Sequence, residues 1–366
     1  VGSEMCIRDR WTLDGLSALE PLDVIEACRD ENFNCRVSAV KLARELLDKQ
    51  DVLAAVTELA EDENVRVRFE VALTLSGDES EIATQTLIDL AIQDGRNPSF
   101  ADGLLTSLKT RSGEVLNGLV NRESFLSRGH DGGIQLVRRL ASIVGARGDL
   151  AELRALLELL GQDSQPAWWC SAAVAGLGSG LPRYRGPLGR LTLTQLISEP
   201  PSVLADSIEN LIDVIASNQQ IATDREAAIA DRVAAVELVG HQPFESAEAT
   251  FKELLSSIQP VEIQTACINA LQRTGSTGAS KIVLKRWSQL GPSVRGTAIA
   301  FLLRRTDSTR MALNSMSRGE MSPSTLTIDQ RVRLLKHSDP SIRARATQLF
   351  GGVVSSNRLQ VTKDYQ

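Results

Sequence analysis

The amino-acid sequence predicts an all-α protein, an α-α superhelix in which short helical hairpins stack in series. First, 42% of the 366 residues are hydrophobic but only 4% are aromatic, so Leu, Ala, Val and Ile carry the apolar content. This composition favours close-packed helices over a β-sandwich. Second, one apolar pattern with helical spacing recurs along the chain. Third, its period lies near 30 residues, which is typical of stacked helical repeats.

The recurring pattern is an apolar residue, then Arg or Gln, then a small or apolar residue three positions on and an apolar residue four positions beyond that. The copies are Cys35-Arg36 with Ala39 and Ala43, Val65-Arg66 with Phe69 and Leu73, Ile263-Gln264 with Cys267 and Leu271, Val294-Arg295 with Ala298 and Leu302, Ile342-Arg343 with Ala346 and Phe350, and a looser copy, Asp231-Arg232 with Ala235 and Val239. Each copy predicts a helix with one buried face, and the small residues allow neighbouring helices to approach closely.

The repeated polar residue is interpreted as structural rather than ligand-binding. Arg36, Arg66, Gln264, Arg295 and Arg343 each follow an apolar residue by one position, and Arg232 follows Asp231 in the looser copy. Their side chains are therefore expected to turn toward the connections between repeats and bond carbonyl or carboxylate oxygens there. The period and the hairpin pattern together are typical of HEAT or armadillo-like repeats.

Three irregularities interrupt the array. The gap from Arg66 to Arg232 leaves room for about four weaker repeats. The longer step from Arg295 to Arg343 indicates an insertion around residues 305–328, with a short extra helix at 307–317. In the last repeat, Gly351-Gly352 is expected to end the helix that begins after Asp339, and Ser355–Asn357 to begin another.

The C-terminal part carries a resemblance to one family. It rests on Arg305-Thr306, Arg310 and Gly319, on the run from Leu334 through His337-Ser338-Asp339-Pro340 to Ala346, and on Leu349-Phe350-Gly351, with Trp11-Thr12-Leu13-Asp14-Gly15-Leu16 near the start. These segments resemble the HEAT-repeat region of large haem-binding, dehydrogenase-like proteins of Planctomycetes and Verrucomicrobia. In that family a β-propeller precedes the repeats and a cytochrome c domain follows them. The resemblance implies a haem c in the full-length protein, none in this fragment, and a periplasmic or other extracytoplasmic location.

The ends of the chain are expected not to be the natural ones. Residues 1–10 resemble the translation of a sequencing adapter and contain no signal peptide. Residues 11–366 are then a HEAT-like array truncated at both ends. A Cys-x-x-Cys-His motif is expected a few tens of residues beyond Gln366.

Two segments are candidates for docking a partner. Trp168 and Trp169 form an aromatic pair, for which core packing of one ring and cover of a neighbouring turn by the other is the competing interpretation. Arg183, Tyr184 and Arg185 lie in a segment rich in Gly and Pro, where they could bind an acidic partner surface or a haem propionate, or remain a solvated loop.

No catalytic or metal-binding group is predicted. Cys28 and Cys35 are separated by seven positions, which fits neither a zinc nor a haem motif, and no two of the three histidines share a helical face. The net charge of −6 argues against a nucleic-acid partner, and no apolar run is long enough for a membrane span. The expected function is a non-catalytic scaffold between a propeller and a cytochrome c domain. The alternative is a stand-alone adaptor that binds another protein.

Overall fold

The computed structural model describes residues 2–108, 110–127, 132–162, 165–184 and 192–363. Within them 78% of the chain is helical and no strand is present, which confirms the predicted all-α class. The helices are α1 (Gly2–Gly15), α2 (Pro21–Cys28), α3 (Phe33–Leu42), α4 (Gln50–Glu58), α5 (Val65–Thr74), α6 (Glu81–Asp94), α7 (Pro98–Ser107), α8 (Ser112–Val120), α9 (Glu123–Leu126), α10 (Gly132–Arg147), α11 (Leu150–Leu160), α12 (Ala167–Gly180), α13 (Leu193–Ser198), α14 (Ala205–Thr223), α15 (Ile229–Val239), α16 (Phe244–Leu254), α17 (Val261–Thr274), α18 (Thr277–Lys285), α19 (Pro292–Leu302), α20 (Thr306–Ser317), α21 (Ile328–Leu335) and α22 (Pro340–Lys363).

The chain divides into two compact units, Val1–Leu211 and Ile212–Gln366. In the first unit most helices pack on the next but one: α1, α3, α5 and α7 form one series, and α2, α4, α6, α8, α10 and α12 form the other, while α9 and α11 pack on α8. In the second unit α15, α17 and α19 form one series and α16, α18, α20 and α22 the other. Such next-but-one packing arises when helical hairpins lie side by side, because each hairpin covers the apolar face of its neighbour.

The predicted stripes of the second unit form its core. Ile263, Cys267 and Leu271 of α17 are fully buried, and Val294, Ala298 and Leu302 of α19 are too. The buried stripe of α22 consists of Ile342, Ala346 and Phe350, with at most 3% of any of these side chains exposed. The helix expected at 307–317 is present as α20, which packs between α18 and α22.

Glycines allow the closest helix contact in the first unit, between α10 and α12. A Cβ atom at Gly176 would overlap the carbonyl oxygen of Arg138, and one at Gly180 would overlap that of Ser142. Gly145 of α10 faces the backbone of Leu177 in the same way. The two helices therefore touch backbone to backbone, which no larger residue at these positions would permit.

Two local expectations are wrong. The helix that begins at Pro340 does not end at Gly351-Gly352 but continues without interruption to Lys363, so no separate helix begins near Ser355. Glycine ends a helix when it adopts the left-handed conformation, as Gly275 does with φ of 62° after α17, whereas Gly351 and Gly352 stay helical.

Candidate functional site

The repeated arginine of the first hairpin binds two successive turns at once. Nε and Nη2 of Arg36 donate to the two carboxylate oxygens of Asp62, at 2.6 and 3.0 Å. Nη1 of Arg36 donates to the carbonyl oxygens of Asp30 and Glu31, in the turn before its own helix. Only 11% of the Arg36 side chain and 4% of the Asp62 side chain are exposed. The arginine thus connects the turn before α3 to the turn before α5.

The next arginine in this role is Arg68, not Arg66. Nε and Nη2 of Arg68 donate to Asp94 at 2.7 and 2.8 Å, and Nη1 donates to the carbonyl oxygens of Asp62 and Glu63. Every partner lies at the same sequence distance as for Arg36. The two pairs form a continuous chain because Asp62 accepts from Arg36 through its carboxylate and from Arg68 through its backbone. We call Arg36, Asp62, Arg68 and Asp94 the arginine ladder.

The predicted frame of the second repeat is therefore shifted by two residues. Val65 is 46% exposed and Arg66 is exposed, whereas Val67, Val71 and Leu75 are fully buried. The run Val65-Arg66-Val67-Arg68 contains the apolar-Arg pair twice, and the structure buries the second copy and exposes the first. A better signal was the triplet Asp30-Glu31-Asn32, which recurs as Asp62-Glu63-Asn64. In each triplet the Asp carboxylate accepts the Asn backbone N–H, and the Asn side chain caps the helix that follows.

Electrostatics favour the charged form of the ladder. Burial acts to raise the pKa of Asp62, but the hydrogen bonds from Arg36 and from the backbone of Asn64 outweigh it, so its pKa lies below the ordinary value. The hydrogen bond to Asp62 raises the pKa of Arg36, and that to Asp94 raises the pKa of Arg68.

In the second unit the side chains of Arg232 and Gln264 also donate hydrogen bonds to buried or partly buried acceptors, but these acceptors are not aspartates. Arg232, only 3% exposed, donates to the side-chain oxygen of Gln259 at 2.6 Å and to the carbonyl of Ala222. Gln264 donates to the carbonyl of Ser256 at 2.7 Å. The buried acceptor is thus an amide in place of the aspartate that serves in the first unit.

The last two predicted positions differ from each other. Arg343 donates through Nη1 to the carbonyls of His337 and Ser338, the same turn contacts that Arg36 makes. Arg295 instead lies over the ring of Trp287 at 5.6 Å, with a weak contact of 3.4 Å to the carbonyl of Ser288. Arg295 therefore braces an aromatic side chain.

The tryptophan pair divides between core and surface. Trp169 is fully buried in α12, whereas Trp168 is partly exposed and packs on Phe125 of α9 with ring centroids 6.0 Å apart. Trp169 is therefore not available for docking.

The second docking candidate, formed by Arg183, Tyr184 and Arg185, offers little of its aromatic side chain to the surface. Tyr184 is only 6% exposed, and its ring lies against Gly148, whose φ is 63°. The turn at Gly148 therefore covers the ring of Tyr184, which leaves little of this side chain for contact with a partner. Arg183 is exposed, and Arg185 lies outside the described residues.

Cys28, Cys35, Cys170 and Cys267 are buried, and no cluster of His, Cys, Asp or Glu in the described part could hold a metal ion. Burial raises the pKa of the Cys28 and Cys170 thiols to about 12, so neither is a reactive thiolate near neutral pH. His337 accepts the backbone N–H of Asp339 through Nδ1 in the turn before α22, and His130 lies outside the described residues. No helix in the described ranges has the length and apolar content to cross a membrane.

Two of the surface cavities formed by described residues have the volume of a ligand-binding site. One, of about 650 Å³ in the first unit, lies between α6 and α8 and is lined by Glu79, Glu81 and Glu114 among others. The other, of about 540 Å³ in the second unit, lies between α18 and α20, with Trp287 and Met311 in its wall. Both volumes lie in the range of pockets that bind ligands.

Comparisons of the chain with protein-family models and with curated protein sequences gave no match.

Proposed function

We propose that the chain is a HEAT-type α-solenoid that acts as a non-catalytic scaffold. The observation that carries this proposal is the arginine ladder. Each arginine bonds the turn before its own helix and an aspartate 26 residues further on, so consecutive hairpins are tied by charge-assisted hydrogen bonds as well as by apolar contact. A ladder of this kind would oppose sliding and splaying of neighbouring hairpins, which is what a spacer requires.

In the full-length protein, the scaffold would join a dehydrogenase-like β-propeller to a cytochrome c domain. The family resemblance supports this part of the proposal. The haem would be held by the cytochrome domain and any catalytic group by the propeller, while the repeats would fix the distance between them. Covalent haem attachment outside the bacterial cytoplasm would place the protein in the periplasm or beyond.

The sequence of the surrounding locus tests the architecture. We expect a propeller-coding region upstream of residue 11 and a Cys-x-x-Cys-His codon run a few tens of codons after Gln366. A stop codon directly after Gln366 would contradict the spacer role. Small-angle scattering tests the solenoid separately: a compact globule of this length would have a radius of gyration of about 21 Å, and we expect a clearly larger value.

The second candidate function is a stand-alone adaptor that binds another protein. The cavity between α18 and α20 favours it, because lysines that form no ion pair with any described residue line an open, partly apolar depression. Its discriminating test is the binding experiment described next.

A further inference from the structure

Positive charge is concentrated on one face of the second unit, although the chain as a whole carries a net charge of −6. The cavity between α18 and α20 is lined by three cations, Lys281, Lys285 and Arg318, and by one carboxylate, Glu320. A smaller cavity of about 270 Å³ shares Lys285 and adds Lys252 and Arg286. We call the two cavities together the basic groove.

Of these five cations, Lys281, Lys285 and Arg286 have no ion-pair partner among the described residues, and Arg286 donates to the side-chain oxygen of Gln289 at 3.1 Å. Arg318 is paired with Glu320 through two contacts of 2.8 Å, and Lys252 with Glu248 at 2.9 Å. Lys281 and Lys285 are exposed and form no ion pair with any residue that the structure describes. Their spacing of four positions places both ammonium groups on one side of α18, above the cavity.

The groove also has an apolar wall held in place by the repeat itself. Trp287, only 6% exposed, lies in it beside Leu284 and Met311. Arg295, the repeat residue of α19, lies over the indole ring at 5.6 Å. An aromatic anchored in this way, next to unpaired lysines, suits a ligand with both acidic and apolar side chains.

The groove is long rather than round. Lys252 lies on α16, Lys281 and Lys285 on α18, and Arg318 just after α20, and these three helices pack side by side. With helix axes about 8–10 Å apart, the charged track is about 16–20 Å long. An extended peptide rises about 3.3 Å per residue, so roughly five or six residues would cover the track.

We propose that the basic groove binds an extended acidic segment of a partner protein, with carboxylates on Lys281 and Lys285 and an apolar side chain against Trp287 and Met311. Peptide binding by the groove requires neither a propeller nor a cytochrome neighbour. The groove proposal can therefore fail while the scaffold role holds, and the scaffold role can fail while the groove binds its peptide.

Fluorescence anisotropy with a fluorescein-labelled peptide that alternates glutamate and leucine tests the proposal on the full chain. We expect saturable binding that weakens as salt is raised. Reversing both charges, Lys281→Glu with Lys285→Glu, should weaken binding by about tenfold or more. The matched control is Lys49→Glu with Lys336→Glu, which changes the net charge equally at exposed lysines outside the groove and should stay within about twofold of the parent.

Three results would overturn the proposal: no saturable binding, equal loss in the groove and control variants, or tighter binding of a lysine-leucine peptide or of oligouridylate RNA. Both lysines are exposed, so the reversal should leave the helical circular dichroism spectrum and the melting temperature unchanged. If it does not, Lys281→Gln with Lys285→Gln removes the charges without repulsion and should still weaken binding of the acidic peptide.

Discussion

Arg66 and Arg68 offer a sharp test of the arginine ladder, because they lie two positions apart on α5 and have the same side chain. Arg66 is exposed, whereas Arg68 donates four hydrogen bonds, two to Asp94 and two to the turn before its helix. Only 11% of Arg68 and 12% of Asp94 are exposed. Replacement of each arginine by alanine therefore compares a ladder residue with a control in one helix.

The size of the effect follows from the depth of the pair. Breaking a fully buried ion pair costs about 3–5 kcal/mol, and a surface pair contributes about 0–1 kcal/mol. Because the Arg68–Asp94 pair is mostly but not fully buried, we expect Arg68→Ala to lower the free energy of unfolding by about 2–3 kcal/mol. Arg66→Ala should change it by no more than about 0.5 kcal/mol.

Urea denaturation followed by circular dichroism measures both variants. Repeat arrays need not unfold in one step, so the comparison uses the transition that Arg68→Ala shifts. A double-mutant cycle with Asp94→Ala should give a coupling energy of about 1 kcal/mol or more between the two side chains. Equal destabilisation by Arg66→Ala and Arg68→Ala, or zero coupling to Asp94, would refute the ladder.

Three further predictions concern packing and charge. Gly176→Ala should destabilise the protein by about 1–3 kcal/mol, because the new methyl group overlaps the carbonyl of Arg138. Gly296 of α19 has open space around it, so Gly296→Ala should stabilise the protein by up to about 1 kcal/mol. If the α10–α12 contact is correct, the melting temperatures of the two variants shift in opposite directions. Ala298→Arg should cost several kcal/mol, roughly 3 or more, since it places a charge in a fully buried position, and an unchanged melting temperature would contradict the core assignment of α19. Burial raises the pKa of Glu70 despite the nearby Lys41, so the folded state binds the proton of this carboxyl more tightly than the unfolded state does. Protonated Glu70 therefore stabilises the fold fully below about pH 4, and this stabilisation is lost as the pH rises through the pKa of the folded state. Glu70→Gln should accordingly be more stable than the parent at pH 7 and equal to it in acid, and a urea series across pH that shows no such convergence would count against the effect.

The sequence predicted the fold where a helix has one unambiguous apolar stripe. Ile263, Val294 and Ile342 each begin such a stripe, and their positions in the core follow from helical periodicity alone. The prediction was wrong where the sequence contains two adjacent copies of the pattern, since the apolar-Arg pair occurs twice between Val65 and Arg68. A choice between them depends on which arginine reaches Asp94, and that contact is tertiary.

The candidate sites were less predictable than the fold. Tyr184 lies in a segment whose Gly and Pro content indicates an exposed loop, yet it is buried because the left-handed turn at Gly148 lies against its ring. The basic groove depends on lysines of α18 and an arginine after α20, which are separated by more than 30 residues in the sequence. Only the packing of α18 on α20 brings them together, so no sequence spacing could have indicated the groove.

The arginine ladder has a consequence for how such an array can change in length. Arg36 and Arg68 are 32 residues apart, and each reaches back to the same turn positions and forward to an aspartate at the same offset. Deletion of residues 33–64 would join Asn32 to Val65, leaving Arg68 with the carbonyls of Asp30 and Glu31 behind it and Asp94 ahead. Tandem duplication of the same segment would add one arginine–aspartate pair to the ladder and leave no ladder charge without a partner. This stretch of the gene can therefore gain or lose whole 32-codon units while each remaining ladder arginine has an equivalent set of partners.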